Sequence, residues 1–378
     1  MEFTKTTLGD ISIGKGQYGI GASAVDYSEE LYTYLRITDI NDDGTLNMSD
    51  LKSVDDEKAK QYVLKPNDIV FARTGNSTGR NYFYDGTDGI FVYAGFLIKF
   101  SIDPSKVNPK YIKYYCLSDA YKGWIQGHST GSTRGNINAQ TYANMEITLP
   151  SREQQDKLVS LLEDLELKRK NNVAINRNLS EQVAAIYKAW FVDFETNNGI
   201  CPDDWKEAIL GDIAEIASGK RPPMKQNDKT DDVCIPLVGA ASIMGYTNDV
   251  LYDSKILVTG RVGTHGVVQR FNQACWPSDN TLVITTDRYE FVNQILVGVD
   301  YKSMNRGSTQ PLITQGDLKK MEIILPNDAI LDEFENLAGG LMNQYEKNVK
   351  ENANLSELRD TLLPKLMLGE LDVSKINF

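Results

Sequence analysis

The chain repeats itself, and a tandem repeat decides architecture before any local propensity is weighed. Residues 131–150 read GSTRGNINAQTYANMEITLP, and residues 307–326, an offset of 176, read GSTQPLITQGDLKKMEIILP. Nine of these twenty positions are identical without a gap. The same offset lays Asn178-Leu179-Ser180-Glu181 over Asn354-Leu355-Ser356-Glu357. Upstream the register slips, as loop insertions would make it. Even so, Leu8-Gly9-Asp10-Ile11 echoes Leu210-Gly211-Asp212-Ile213, and Arg73-Thr74-Gly75 with Gly79 echoes Arg261-Val262-Gly263 with Gly266. The 378 residues are therefore a duplication, too long for one ordinary domain and comfortable for two.

Each copy has two parts. Residues 1–150 and 196–326 are rich in β-branched and aromatic residues broken by Gly, Asn and Asp, as in residues 68–72 (DIVFA) and 95–100 (GFLIKF). They read as short strands and turns with a few helices, one of them over residues 109–116. Residues 151–195 and 327–378 differ: up to residue 368 they hold almost no Gly or Pro and keep a helical period. Ser151 with Gln154 forms a capping box directly after Pro150. Leu158, Leu165, Asn172, Leu179 and Ile186 recur every seven residues, with Leu161 and Ile175 in the partner positions. Phe334, Leu341, Asn348, Leu355 and Leu362 repeat the pattern, with Leu337 and Leu358 alongside.

Such heptads call for a paired helical seam. Asn172 and Asn348 hold equivalent seam positions, where a buried asparagine costs stability but fixes register; the alternative is a solvated kink. Pro364 ends or kinks the second helix, since its ring clashes with the carbonyl of Asp360. The expected fold is mixed α/β (α+β): two globular recognition domains separated by two long antiparallel helices, a coiled coil, with a pseudo-two-fold axis. By this reading the heads lie at opposite ends of a rod roughly 50–60 Å long, from about 35–40 residues at ~1.5 Å each.

Composition narrows the chemistry. Four cysteines without a CxxC pair, and histidines only at 128 and 265, make a zinc site improbable and suggest free thiols in a cytoplasmic protein. No run approaches ~18 apolar residues, so no membrane span is expected. Residues 14–19 (GKGQYG) match GxGxxG, but without a persuasive strand–turn–helix context they read as a glycine-rich surface loop. Asn108-Pro109-Lys110-Tyr111 is one residue away from the Asn-Pro-Pro-aromatic motif of amino-methyltransferases and reads as a loop leading into a helix. His265 and Cys275 form the only close His/Cys combination, with no third orienting group. No catalytic residues and no metal ligands emerge, and the chain is expected not to be an enzyme.

Polar, glycine-rich loops remain, two per copy. Arg73, Asn76, Ser77, Thr78 and Arg80 stand on one, and Ser132, Thr133, Arg134 and Asn136, preceded by His128, on another. The second copy offers Arg261, Thr264 and His265, then Arg306, Ser308, Thr309 and Gln310. Lys15, Tyr18, Lys220 and Arg221 complete the DNA-binding candidates. Arginine forks pair with guanine, amides with adenine, and hydroxyls hold phosphates; ordinary turn chemistry is the competing explanation for any one of them. The net charge of −12 argues against a stand-alone, non-specific nucleic-acid binder. Residues 1–150 carry 15 basic against 18 acidic groups and residues 196–326 carry 13 against 16, −3 in each case. Such heads could supply specificity if a partner provides the basic clamp.

Residues 186–194 (IYKAWFVDF), 358–366 (LRDTLLPKL) with 369–371 (GEL), 205–213 (WKEAILGDI) and 34–40 (YLRITDI) resemble the DNA-specificity (S) subunits of type I restriction–modification systems. The resemblance covers the whole chain, with one departure: no Trp precedes Thr7-Leu8-Gly9-Asp10. It implies that residues 1–150 and 196–326 each read one half of a bipartite double-stranded DNA site. The helices would set the gap and dock two modification (methyltransferase) subunits, with Trp190, Phe191, Leu366 and Met367 as docking candidates. It also implies that S-adenosylmethionine, and ATP with magnesium, are bound by partner subunits, restriction subunits among them, and no cofactor by this chain. The alternative from another class is a two-headed coiled-coil scaffold that binds proteins.

Overall fold

The computed structural model describes residues 3–129, 136–262, 266–301 and 312–371. Two compact units divide the chain, Met1–Lys170 with Glu351–Phe378, and Asn171–Lys350, so each long helix contributes to both.

In the first unit, β1 (Thr4–Thr7) pairs antiparallel with β10 (Glu146–Leu149). An antiparallel sheet runs in the order β2 (Gln17–Tyr18), β9 (Leu97–Ser101), β6 (Asp68–Ala72), β7 (Asn81–Tyr84). A second sheet has the order β3 (Ala24–Asp26), β5 (Lys52–Val54), β4 (Tyr32–Leu35), β8 (Phe91–Tyr93), with β4 and β8 parallel. Helices α1 (Pro109–Tyr115), α2 (Asp119–Ser129) and α3 (Ala139–Ala143) follow. Proline opens α1 because its missing N–H is no loss there, and Asn108 caps it by accepting from the Lys110 N–H. Ile69, Phe71, Ile98, Tyr111, Tyr114 and Tyr142 bury the central sheet against these helices.

The second unit repeats this plan. Strand β11 (Lys206–Ile209) pairs with β19 (Glu322–Leu325), and an antiparallel sheet runs β12 (Glu215–Ser218), β18 (Thr281–Thr285), β15 (Ile256–Gly260), β16 (Val268–Phe271). Strand β13 (Ile235–Val238) lies between β14 (Ile243–Thr247) and a parallel β17 (Trp276–Pro277). Helices α5 (Tyr289–Val297) and α6 (Gln315–Lys319) complete it. The repetition extends to single hydrogen bonds. The Leu8 N–H donates to the Met145 carbonyl at 3.0 Å and that of Leu210 to Met321 at 2.9 Å; Gly19 donates to Leu97, and Gly219 to Thr281, both at 3.1 Å. The two glycines answer one steric demand, because a Cβ on Gly19 would lie 2.3 Å from the Tyr93 and Ala94 carbonyl oxygens and one on Gly219 2.2 Å from that of Ser278.

The long helices are α4 (Arg152–Tyr187) and α7 (Asp328–Met367). Ser151 starts α4 by accepting from the Gln154 N–H at 3.4 Å, while buried Gln155 accepts from the Asn108 N–H and donates to the Pro150 carbonyl. In the first unit Leu158, Val159 and Leu162 pack with Leu363 and Leu366, and Lys168 pairs with Glu351 at 3.3 Å. In the second, Asn176 meets Tyr345 and Asn348, while Val183 and Phe191 pack with Leu331, Phe334, Ala338 and Met342. Ascending one helix means descending the other in both units, so the helices are antiparallel.

Two sequence expectations need correction here. The heptad column through Leu158, Leu165, Asn172 and Leu179, and that through Phe334, Leu341, Asn348 and Leu355, is buried or half-buried throughout. Its partners, however, mostly lie four residues on (Leu162, Arg169, Asn176, Val183; Ala338, Tyr345, Asn352, Arg359) rather than three: Leu161 is half-buried on the first core, but Ile175, Leu337 and Leu358 face outward. Of the end or kink expected at Pro364, the end is not seen: the second helix continues to Met367. Three residues from the helix end, proline removes only the bond to the Asp360 carbonyl, while its own carbonyl still accepts from the Leu368 N–H at 2.9 Å.

Candidate nucleic-acid interface

Arg73 follows β6 directly. Its N–H donates to the Phe96 carbonyl at 3.1 Å and its carbonyl accepts from the Ile137 N–H at 2.9 Å; Thr74 pairs in a β-bridge with Asn136. Backbone from two distant segments therefore fixes this arginine. Its guanidinium lies over the Tyr18 ring, 5.0 Å from the centroid, a cation–π contact. Arg73 Nε is buried and has no hydrogen-bond partner among the described residues. The Tyr18 hydroxyl accepts from the Ala139 N–H at 3.2 Å, and the residue is 41% exposed. Asn76, three residues on, and Asn136, across the bridge from Thr74, are exposed, and Lys15 is exposed just ahead of β2. The Thr78 hydroxyl donates to the Gly75 carbonyl at 2.8 Å.

The second unit presents Arg261 in the same backbone setting. Its N–H donates to the Asn280 carbonyl at 2.8 Å, its carbonyl accepts from the Ile313 N–H at 3.0 Å, and Val262 bridges Leu312. Ser218 stands where Tyr18 does, immediately before the packing glycine, and its hydroxyl accepts from Gln315 Nε2 at 2.9 Å. The aromatic platform is thus absent from this copy. Lys220 and Arg221 are exposed; the Lys220 carbonyl is held by the Trp276 indole N–H at 2.8 Å, and Arg221 lines a cleft with Pro222, Lys225, Asp279 and Asn280.

Other candidates are engaged elsewhere. Arg80 donates from Nε to Asp42 at 2.7 Å and from Nη1 to the Ile40 carbonyl at 3.2 Å, which fastens a turn. Ser77 is buried. His128 belongs to α2 rather than to a loop, its ring 4.2 Å from that of Trp124. Ser132, Thr133, Arg134, Thr264, His265, Arg306, Ser308, Thr309 and Gln310 lie outside the described residues. Residues 14–19 lead into and out of the edge strand β2, with no helix after them to hold a dinucleotide. Cys275 is fully buried, which pushes its thiol up to about 12, far from a poised nucleophile.

Sequence reasoning missed one charged cluster, which positions the second unit's sheet. Glu290, 1% exposed in α5, receives Arg270 in a two-pronged pair at 2.7 Å per bond, and Arg270 also reaches Glu346 of α7 at 3.2 Å. Burial alone would lower the Arg270 pKa, but the hydrogen bonds and charge of Glu290 reverse this and raise it. The hint in sequence is slight, a glutamate among the largely apolar residues of YEFVNQILV, which also holds Asn293 and Gln294.

A profile of the family described as "Type I restriction modification DNA specificity domain" matches residues 2–183 and 202–351. The chain belongs to this family. Among relatives of the type I specificity family, the Type I restriction enzyme MjaIX specificity subunit of Methanocaldococcus jannaschii is 25% identical over 315 residues, covering 71% of this chain and 70% of that one. The HindI specificity subunit of Haemophilus influenzae is 20% identical, covering 94% and 99%. A solved S subunit from M. genitalium shares the fold, with a TM-score of 0.58 at 16% identity over 97% of this chain and 96% of that one.

For a type I specificity chain, two of the four docking candidates, Phe191 and Leu366, are buried within the chain itself. Phe191 is buried among Tyr187, Trp205, Phe291 and Phe334, and Leu366 is buried against Leu158 and Leu162; Trp190 and Met367 are partly buried on the same cores. These side chains close the junctions between helices and sheets. Val192 and Leu368, adjacent to them, are the exposed apolar groups. No helix of the described residues is long and apolar enough to cross a membrane.

Proposed function

We propose that this chain is the sequence-reading, non-catalytic subunit of a type I restriction–modification complex, each unit reading one half of a bipartite duplex site. Helices α4 and α7 set the gap between the half-sites and dock two methyltransferase subunits. The observation that supports this reading is the arginine held in identical backbone register in both copies, Arg73 and Arg261, beside exposed hydrogen-bonding groups. Neither guanidinium has an ion-pair partner among the described residues, so both keep their forks for guanine or phosphate.

The acidic balance fits a division of labour. Phosphate attraction supplies most affinity for duplex DNA, and in this reading the partner subunits provide it while this chain discriminates sequence. S-adenosylmethionine, and ATP with magnesium where restriction subunits join, belong to those partners. The test is a DNA-shift assay against a random duplex pool, with the chain alone and with co-expressed methyltransferase subunits. The complex should retain one bipartite sequence. A protein-binding scaffold would retain none in either case.

A further inference from the structure

The duplication allows the two units to be compared position by position, and the comparison isolates one slot. In each unit the arginine after the central strand donates its N–H to the last residue before the neighbouring strand: Arg73 to Phe96, and Arg261 to Asn280. The slots are equivalent because the ladders beside them agree. Ala72 faces Leu97 in one unit and Gly260 faces Thr281 in the other, and the packing glycines Gly19 and Gly219 donate to those same two residues. Backbone and arginine are shared, and the slot residue changes from phenylalanine to asparagine.

Both residues are presented outward. Phe96 is 59% exposed with no aromatic partner among the described residues, although the hydrophobic effect opposes leaving a phenyl ring in water. A single exposed apolar residue is ordinary by itself; the position of this one, bonded to the arginine that stacks on Tyr18, sets it apart. Asn280 is exposed, and its amide has no hydrogen-bond partner among the described residues. In the major groove a phenyl edge matches the thymine methyl group, whereas an asparagine amide pairs with adenine N6 and N7.

Resting on the DNA-reading function above, we propose that this slot is the discriminating reader of each unit: Phe96 selects a thymine through its methyl group, and Asn280 selects an adenine. Arg73 and Arg261 are then the common anchors, and the difference between the two half-sites begins at the slot.

The test uses the full chain co-expressed with its methyltransferase subunits. The retained duplex is sequenced, and affinity is then measured at fixed salt with each thymine of the half-site replaced in turn by uracil, which lacks only the methyl. One replacement should weaken binding about four-fold, the value of one buried carbon group. Phe96→Ala should bind thymine and uracil duplexes equally, with the other half-site unchanged. Asn280→Ala should lose about ten-fold preference for one adenine in the other half-site. Both residues are exposed, so folding is not at stake. A native complex indifferent to every uracil, or a Phe96→Ala complex that still distinguishes them, overturns the assignment. A native complex that retains no sequence removes the DNA-reading function itself.

Discussion

The Asn348 amide donates to Asn176 Oδ1 at 2.8 Å in the seam between the long helices, and the Asn176 amide in turn donates to the Tyr345 carbonyl at 3.1 Å. A buried asparagine pair stabilises one helix register over its neighbours, because a slip of one residue would leave both amides without partners. Asn348→Ala strands the Asn176 oxygen and should cost about 1–3 kcal/mol in denaturant unfolding. The double change Asn176→Leu with Asn348→Leu should restore or exceed native stability. If the double variant unfolds more readily than the single one, the pair does more than satisfy itself.

The Arg270–Glu290 pair predicts an asymmetry. Arg270→Met leaves the buried Glu290 carboxylate with only the partly exposed Lys255 ammonium at 3.4 Å, so the second unit should lose about 3 kcal/mol. Glu346→Gln keeps an acceptor for Arg270 and should lose about 1 kcal/mol. Hydrogen exchange resolved to each unit distinguishes these losses, and the first unit should be untouched.

Burial of Cys275 gives a pH signature. Its thiol is pushed from 9.0 to about 12 in the folded chain, so the folded state holds this proton longer than the unfolded state does. The contribution is full below the ordinary thiol range and is lost as pH rises towards about 12. At pH 8, mass spectrometry after brief alkylation should find half-buried Cys201 and Cys234 labelled and buried Cys116 and Cys275 protected. Labelling of Cys275 at the rate of Cys201 would contradict this burial.

Much of the fold was legible in the sequence, for particular reasons. The twenty-residue repeat ends in β10 and β19, whose pairing with β1 and β11 fixes the start of each copy, so those residues could not drift independently. The heptad column was readable because period seven is local. Its partner column was not, since Ile175, Leu337 and Leu358 look like seam residues while the true partners include Asn176, Tyr345 and Arg359. Arg80 looked like a DNA contact because its bond to Asp42 joins residues 38 apart. Phe191 looked like a docking residue because the aromatics that bury it, Trp205, Phe291 and Phe334, come from three later segments. The slot held by Phe96 and Asn280 carries no sequence signal: the two residues differ, and only the ladder aligns them.

Helix length should control spacing between half-sites. Inserting four residues into both α4 and α7 lengthens each by ~6 Å, about two base pairs at ~3.4 Å each. Mapping of adenine methylation should show unchanged half-sites and a wider gap. Altered half-sites with an unchanged gap would count against a spacing role for the helices.

Modular reading is tested most directly by exchanging residues 196–326 for the equivalent segment of another specificity subunit and sequencing the methylated sites of the resulting complex. One half-site should be replaced by that of the donor, with the other half-site and the gap unchanged. Simultaneous change in both half-sites, or methylation that follows neither parent, would contradict two independently reading units.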